Sequence, residues 1–256
     1  MNCLQIKNLI KYPILKRVIP SILIKIYKIF NLKSKLYKIN NINFFLNFLD
    51  PIDRKIILTQ NYEEIEMFFL SKNIKKKKLN FFLDIGANCG FYTFSIAKLF
   101  KINTLSFEPG KNAFFKLKKT LEANKSIKNI KLYKYGLSDK QGVFSTSSRV
   151  KNDYAQTGGL SLDKIYPNGK MEKCVFKVGD NILKLRRKKI AIKIDVEGHE
   201  LKVLKGLKKT LINNNAIILI EILDKNYLLA HNFLKSLGYK KIKSIKKNLN
   251  YFYSNI

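Results

Sequence analysis

Two short stretches hold the residue types that could do chemistry. "FFLDIGANCG", residues 81–90, ends an apolar run in Asp84 and opens at once into Gly86, Asn88 and Gly90. "IAIKIDVEGHE", residues 190–200, ends another in Asp195 and sets Glu197, His199 and Glu200 within five positions. A carboxylate and glycines where a buried strand emerges suit a bound molecule, because glycine lets backbone approach it closely and the next helix offers its amide N-terminus.

The spacing narrows the choice of molecule. The loop Gly86-Ala87-Asn88-Cys89-Gly90 lacks one glycine of the dinucleotide fingerprint, and it has no G-K-S/T of a phosphate-cradling loop. Asp84 would repel a pyrophosphate and welcome a cation or an amino group. A further run, "NTLSFEP", ends at Glu108, 24 residues after Asp84, where a carboxylate can accept from both hydroxyls of a ribose. A nucleoside with a positive charge and no pyrophosphate describes S-adenosylmethionine.

These stretches need elements to hold them. From about residue 62 the sequence alternates: a helix over "YEEIEMFFLSKNI", a strand over "FFLDIG", a helix through Phe100, a strand over "NTLSFEP", a helix to about Asn124 and a third strand over "NIKLYKYGLSD". Residues 142–180 turn to Ser, Thr, Gly and Asn, which predicts an insertion of short strands and loop. "KKIAIKI" restores a buried strand, followed by a helix with Leu201, Leu204, Leu207 and Leu211 inward, a fifth strand over "AIILIEIL", a helix over "LLAHNFLKSLGY", and "YKKIKSI" with "LNYFYSNI" as a closing antiparallel pair. Strands alternating with helices of this length imply a parallel sheet covered on both faces, with ligands beyond its carboxyl edge.

From about residue 52 onward the chain resembles the FkbM-family methyltransferases, a class I S-adenosylmethionine-dependent group. The matching stretches are "NYEE", "FLDIGANCGFYTFSIA", "LSFEPGKNAFFKLKKTLEAN", "YGLSDKQG" and "IKIDVEGHELKVLKG" followed by "IILIEI". The resemblance implies a Rossmann-like α/β sandwich, mostly parallel, with a final antiparallel pair. It implies that Asp84, Gly86, Asn88 and Gly90 form the methionine-side loop, that Glu108 holds the ribose, that Ser138 and Asp139 line the adenine pocket, and that the loop with Thr157, Gly158 and Gly159 faces the site. It also places "IDVEGHE" beside the transferable methyl group, and it implies O-methylation of a hydroxyl on a saccharide or other polar metabolite.

A hydroxyl that takes a methyl group must lose its proton, so a nearby carboxylate or imidazole is required. Asp195 is the preferred base or acceptor anchor, with His199 and Glu197 as the other candidates. Glu197 and Glu200 are also expected in the first turn of a helix, where acidic residues are stabilising on electrostatic grounds alone. Asp195 paired with Glu221, at the end of the fifth strand, is an alternative holder for a divalent cation, which the sequence does not require.

The chain has 256 residues and a formal charge of +32, with 45 Lys against 5 Arg and no Trp. Such charge suits nucleic acid or anionic membrane when it clusters, but the scarcity of Arg and the lysines' even spread favour a compositional origin. A nucleic-acid methyltransferase is one alternative; amino-group methylation of bases usually places D/N-P-P-Y/F where this chain reads "DVEG". A non-catalytic membrane-surface protein is the other, against which intact Asp84, Gly86 and Glu108 argue. Cys3, Cys89 and Cys174 encode neither a disulfide framework nor a zinc site. With no signal-peptide pattern and no membrane span, a cytoplasmic setting is expected.

Before Asp50 there is no acidic residue, which suggests a basic N-terminal segment, 1–49, ahead of a catalytic domain, 50–256. In it Leu15, Val18, Ile19, Ile22, Leu23, Ile26 and Phe30 share one helical face and Arg17, Ser21, Lys25 and Lys28 the other, with Pro20 expected in a first turn. Packing against the main domain is the favoured reading of that stripe, and an anionic membrane surface the alternative.

Overall fold

The computed structural model describes residues 13–32, 34–151, 154–162, 164–245 and 249–256, with side chains from Val18 onward. Cys3 and the side chains of Leu15 and Arg17 lie outside these residues. The chain opens with helix α1 (Pro13–Ile29), a hairpin of β1 (Lys35–Ile39) and β2 (Ile42–Leu46), and helices α2 (Pro51–Thr59) and α3 (Glu64–Lys77). The alternating part follows as β3 (Phe81–Ile85), α4 (Phe91–Phe100), β4 (Asn103–Phe107), α5 (Lys111–Glu122) and β5 (Ile130–Tyr133). The expected third strand is split: after β5 the chain leaves the main sheet, and Gly136–Ser138 forms β6 in a small sheet with β7 (Gly142–Ser148) and β10 (Lys170–Val178). Between these lie the two-residue strands β8 (Val150–Lys151) and β9 (Tyr154–Ala155). The rest comprises α6 (Gly179–Ile182), β11 (Lys189–Ile194), α7 (Glu200–Gly206), α8 (Lys208–Ile212), β12 (Asn215–Glu221), α9 (Asp224–Ser236), β13 (Lys240–Ile245) and β14 (Asn250–Ser254).

The central sheet runs β13-β14-β12-β11-β3-β4-β5. Pairs from β12 to β5 are parallel, and β14 is antiparallel to both its neighbours. This is the expected Rossmann-like α/β sandwich with a mostly parallel sheet, closing antiparallel pair included. Strand alternation sends Phe82, Ala191, Ile217, Leu219 and Phe252 into the core under α3 and α4, and Leu83, Ile192, Ile194, Ile218 and Ile220 into the core under α7 and α9. The same period of two continues to the strand ends, so Asp84, Lys193 and Glu221 share the face of Phe82, Ala191 and Leu219.

The compositional change at Asp50 is not a boundary of packing. Ile39, Ile42, Phe44, Leu46 and Phe48 before it join Ile56 and Phe94 after it in one buried cluster. A hydrogen bond crosses the same point, from the Asn47 amide to Asp53 Oδ2 at 2.8 Å, and Asp53 belongs to a buried ion cluster: Lys116 of α5, almost fully buried, donates to Asp53 Oδ2 at 2.7 Å and to Thr157 Oγ1 at 2.8 Å, while Asp50 accepts from the Thr157 amide at 2.9 Å. Burial pulls the Lys116 ammonium down, and the charges of Asp53 and Asp50 outweigh it.

Two expectations for α1 are corrected. Pro20 lies inside the helix rather than in its first turn. The helix rests on the core through Leu23, Ile24 and Tyr27, whereas Val18, Ile22, Ile26 and Phe30 of the expected stripe, with Ile29, are 37–77 % exposed. Tyr27, stacked on Phe48 at 4.7 Å, sets which face turns inward.

The closest backbone constraint lies between β3 and β11. Gly86 has φ +86°, and a Cβ there would sit 1.8 Å from the Asp195 carbonyl oxygen. Gly86→Ala therefore adds a left-handed strain to a backbone collision that no rotamer relieves; a loss of about 3 kcal/mol or more in unfolding free energy is expected, measured by chemical denaturation. A stability within about 0.5 kcal/mol of wild type would show that the two strand ends separate freely.

Candidate active site

One cleft of about 220 Å³ opens at the carboxyl ends of the parallel strands, lined by Asp84, Gly86, Asn88, Glu108, Lys193, Asp195, Glu197, His199 and Glu221. The 157–159 loop lines it too, held down by the Lys116 cluster. The crossover geometry explains the convergence: β4, β3, β11 and β12 are neighbours, so the loops leaving them start side by side.

At one end the β3 loop and the β4 end are tied together. Glu108 accepts from the Asn88 amide through Oε2 at 2.8 Å and from the Gly110 amide through Oε1 at 2.9 Å. Burial nonetheless pushes its carboxyl up to about 7, the two amides drawing it back down. Asn88, at φ +50°, turns its side chain inward, and its Oδ1 is buried without a partner. Asp84 lies within β3, fully buried, rather than beyond the strand end. Its Oδ2 accepts from Thr93 Oγ1 at 2.6 Å, its Oδ1 has no partner, and burial raises its pKa against the pull of Lys193. Gly90 does not line the cleft. It caps α4 at φ +86°, and a Cβ there would meet Leu117 at 2.4 Å, so its glycine serves packing.

The other end is acidic. Lys193 Nζ donates to Asp195 Oδ2 at 2.7 Å. Glu221 is pushed up to about 8 by burial and by the charge of Asp195. Glu63 accepts from the Tyr92 hydroxyl at 2.9 Å and is also raised, chiefly by burial. Oxygens of Glu63, Asp195 and Glu221 lie within 4.8 Å of one another, a spacing compatible with a cation. Burial lowers the affinity of Lys193 for its proton, but Asp195, Glu63 and Asp84 raise it by more.

The "DVEGHE" turn separates its candidates. Glu197 is not in a helix: it sits at φ +54° in the preceding turn, exposed at the mouth, and is raised to about 6 by the cleft walls and by Asp195. His199 caps α7 and is buried, with Nε2 2.9 Å from Ser138 Oγ. Glu200 accepts from the Gly198 amide at 2.8 Å, which gives it a structural partner, and burial raises it to about 7. Ser138 and Asp139 line an adjoining cleft that shares His199 and Leu162 with the main one, while Gly136 and Leu137 line the main cleft itself.

Sequence reasoning missed Glu63, Lys193 and Tyr92 as site residues. Lys193 had a usable signal, a lysine inside an otherwise buried strand. Glu63 was hidden by a helix boundary: the helix starts at Glu64, and the left-handed Glu63 turns off it toward Tyr92.

Residues 84–241 match the family described as Methyltransferase FkbM domain. The chain belongs to the FkbM methyltransferase family. Among curated proteins it is 29% identical over 137 residues to "Hexuronic acid methyltransferase AglP" of Haloferax volcanii, with 53% of each chain covered. It therefore spans about half the length of that relative. Similar solved structures include "Human methyltransferase 10 domain containing protein" (12% identity, TM-score 0.48, 84% of this chain and 90% of that one). Another is a precorrin-6y C5,15-methyltransferase from Geobacter metallireducens (12% identity, TM-score 0.43, 75% and 87% covered).

The raised carboxyls define a pH response. An unfolded glutamate titrates near 4.3, so Glu108, Glu200 and Glu221, at about 7, 7 and 8, keep protons in the folded protein that the unfolded chain has lost. Between roughly pH 4.5 and 8 the folded state binds more protons, and stability falls as pH rises. The ligand-free protein should melt at a lower temperature at pH 8.5 than at pH 6, and Glu221→Gln should flatten the upper part of that fall. A Tm that rises across the interval would contradict the assignment.

Proposed function

We propose that this protein is an S-adenosylmethionine-dependent O-methyltransferase whose acceptor is a hydroxyl of a saccharide, in an acidic sugar by preference. The observation that carries the reading is the single cleft joining the Glu108–Asn88 end to the Asp195–Lys193 end. Each Glu108 oxygen is fixed by one backbone amide and keeps a lone pair for a ribose hydroxyl. The unpartnered Asp84 and Asn88 oxygens suit a ligand rich in donors, such as an amino group. Bound there, S-adenosylmethionine supplies a methyl group on a sulfonium, transferred in one in-line displacement.

The chain's own residues do the rest. Asp195, held through Oδ2 by Lys193, offers Oδ1 to the acceptor hydroxyl and takes its proton. His199, oriented by Ser138, borders the same end and is the alternative base, with Glu197 at the rim. Arg149 and Lys164 each stand 5.2 Å from the Tyr166 ring centroid, and both act on the charge of Glu197. A sugar carboxylate would meet two cations and an aromatic face there, in keeping with the hexuronic acid in the relative's name. The buried free thiols Cys89 and Cys174 suit the expected reducing, cytoplasmic setting.

Glu108→Gln should weaken S-adenosylhomocysteine binding by about tenfold or more in titration calorimetry. Asp195→Asn should keep that binding but lose about 10²-fold in turnover, measured as radiolabelled methyl transfer to uronic-acid saccharides. His199→Gln should cost much less; the reverse order, with an imidazole-like pH profile, would make His199 the base.

A peripheral contact with anionic membrane is supported by one observation, the uncovered stripe of α1 beside the exposed Lys25 and Lys28. No described helix is long and apolar enough to cross a membrane. The full chain should co-sediment with phosphatidylserine vesicles at low salt, and Ile22→Asp with Ile26→Asp should abolish this. Sedimentation unaffected by both changes would transfer the contact to the dispersed lysines.

A further inference from the structure

The acceptor end of the cleft brings three carboxylates to one cation. Glu63, Asp195 and Glu221 come from three separate elements, yet their oxygens meet within 4.8 Å. Such a group of oxygens ordinarily asks for a hard divalent ion. Here a cation is already covalently in place. Lys193 is 5 % exposed, its ammonium is 2.7 Å from Asp195 Oδ2, and it stands 4.8 Å from the centroid of the Tyr92 ring. The same tyrosine donates its hydroxyl to Glu63. Asp195 and the aromatic face thus hold the ammonium from two directions, and Tyr92 links it to the second carboxylate.

Strand alternation explains why the lysine must point there. Lys193 and Asp195 are two residues apart, and Lys193 pairs in register with Asp84 on one side and Leu219 on the other, two residues short of Glu221. The face that would otherwise carry an apolar side chain carries a charge that needs nearby carboxylates to compensate it, Asp195 first among them.

We propose that Lys193 is the resident cation of the Glu63–Asp195–Glu221 cluster, a tethered ammonium in the place of a divalent metal, which positions Asp195 toward the acceptor. Lys193 acts through Asp195 and is a positioning residue. This rests on the methyl-transfer reading of the site, and it makes that transfer independent of added metal ions.

Calorimetric titration with MgCl2 or MnCl2, without any methyl donor, tests the assignment on the full chain. Wild type should show no saturable binding, and EDTA should leave its turnover unchanged. Lys193→Met should bind Mn2+ saturably and gain roughly 5 °C or more in Tm at saturation. Its turnover should fall about 10²-fold, and Mn2+ should restore about tenfold of that. Lys193→Arg, which keeps the charge, should remain indifferent to metal. Saturable binding by wild type overturns the proposal, and so does a folded Lys193→Met that takes up no metal. Should Lys193→Met not fold, the wild-type titration decides alone. Because no donor is present, a failure of methyl transfer would leave the metal result standing and would count against the functional reading only.

Discussion

The site depends on how closely two parallel strand ends approach. The Asp195 amide donates to the Ile85 carbonyl at 3.0 Å, and the next residue on β3, Gly86, passes so near the Asp195 carbonyl that no side chain fits between them. That contact brings the loop after β3 and the turn after β11 to a common wall. The first ends in Asn88, tied to Glu108, and the second begins with Asp195, tied to Lys193. The Glu108–Asn88 end and the Asp195–Lys193 end share one cleft because these two peptides touch.

Charge is then placed against the usual rule that lysines stay in water. Among the described residues two lysines are almost fully buried, Lys116 among carboxylates distant in the chain and Lys193 beside Asp195, two residues on. Lys116 meets Asp50 and Asp53, 63 or more residues away, and together they fasten Thr157 over the cleft. Lys193 meets Asp195, with Glu63 and Asp84 acting on it at longer range. Burying such groups is costly alone, and is tolerated because each charge finds a partner with hydrogen-bonding geometry. The two clusters differ in where they sit. Lys116, Asp50 and Asp53 lie behind the cleft wall and fasten the loop that covers it, whereas Lys193, Asp195 and Glu221 line the cleft itself.

The N-terminal segment divides along the same lines. Its hairpin is core, since Phe44 and Leu46 are fully buried against α4 and α5. Its helix is held, among the described side chains, by Leu23, Ile24 and Tyr27 and leaves Val18, Ile22, Ile26 and Phe30 outside, so the basic composition shared by both parts conceals two different physical roles. Composition reports what a segment is made of, and burial depends on which face finds a partner.

Much of the architecture was determined by the sequence itself. Apolar runs of five to seven residues separated by helical periodicity require a covered parallel sheet, and carboxylates at the ends of those runs must gather at its carboxyl edge. Asp84, Glu108, Asp195 and Glu221 were legible for that reason. Only the tertiary structure decided that Gly90 packs against Leu117 while Gly86 accommodates a neighbouring carbonyl, since the two glycines look alike in a loop. It also decided that Glu63 leaves its helix and that Lys193 faces three acids. These outcomes depend on strand register and on a single left-handed residue, and neither has a local signal: register is a relation between segments more than a hundred residues apart, and local propensity acts over only a few.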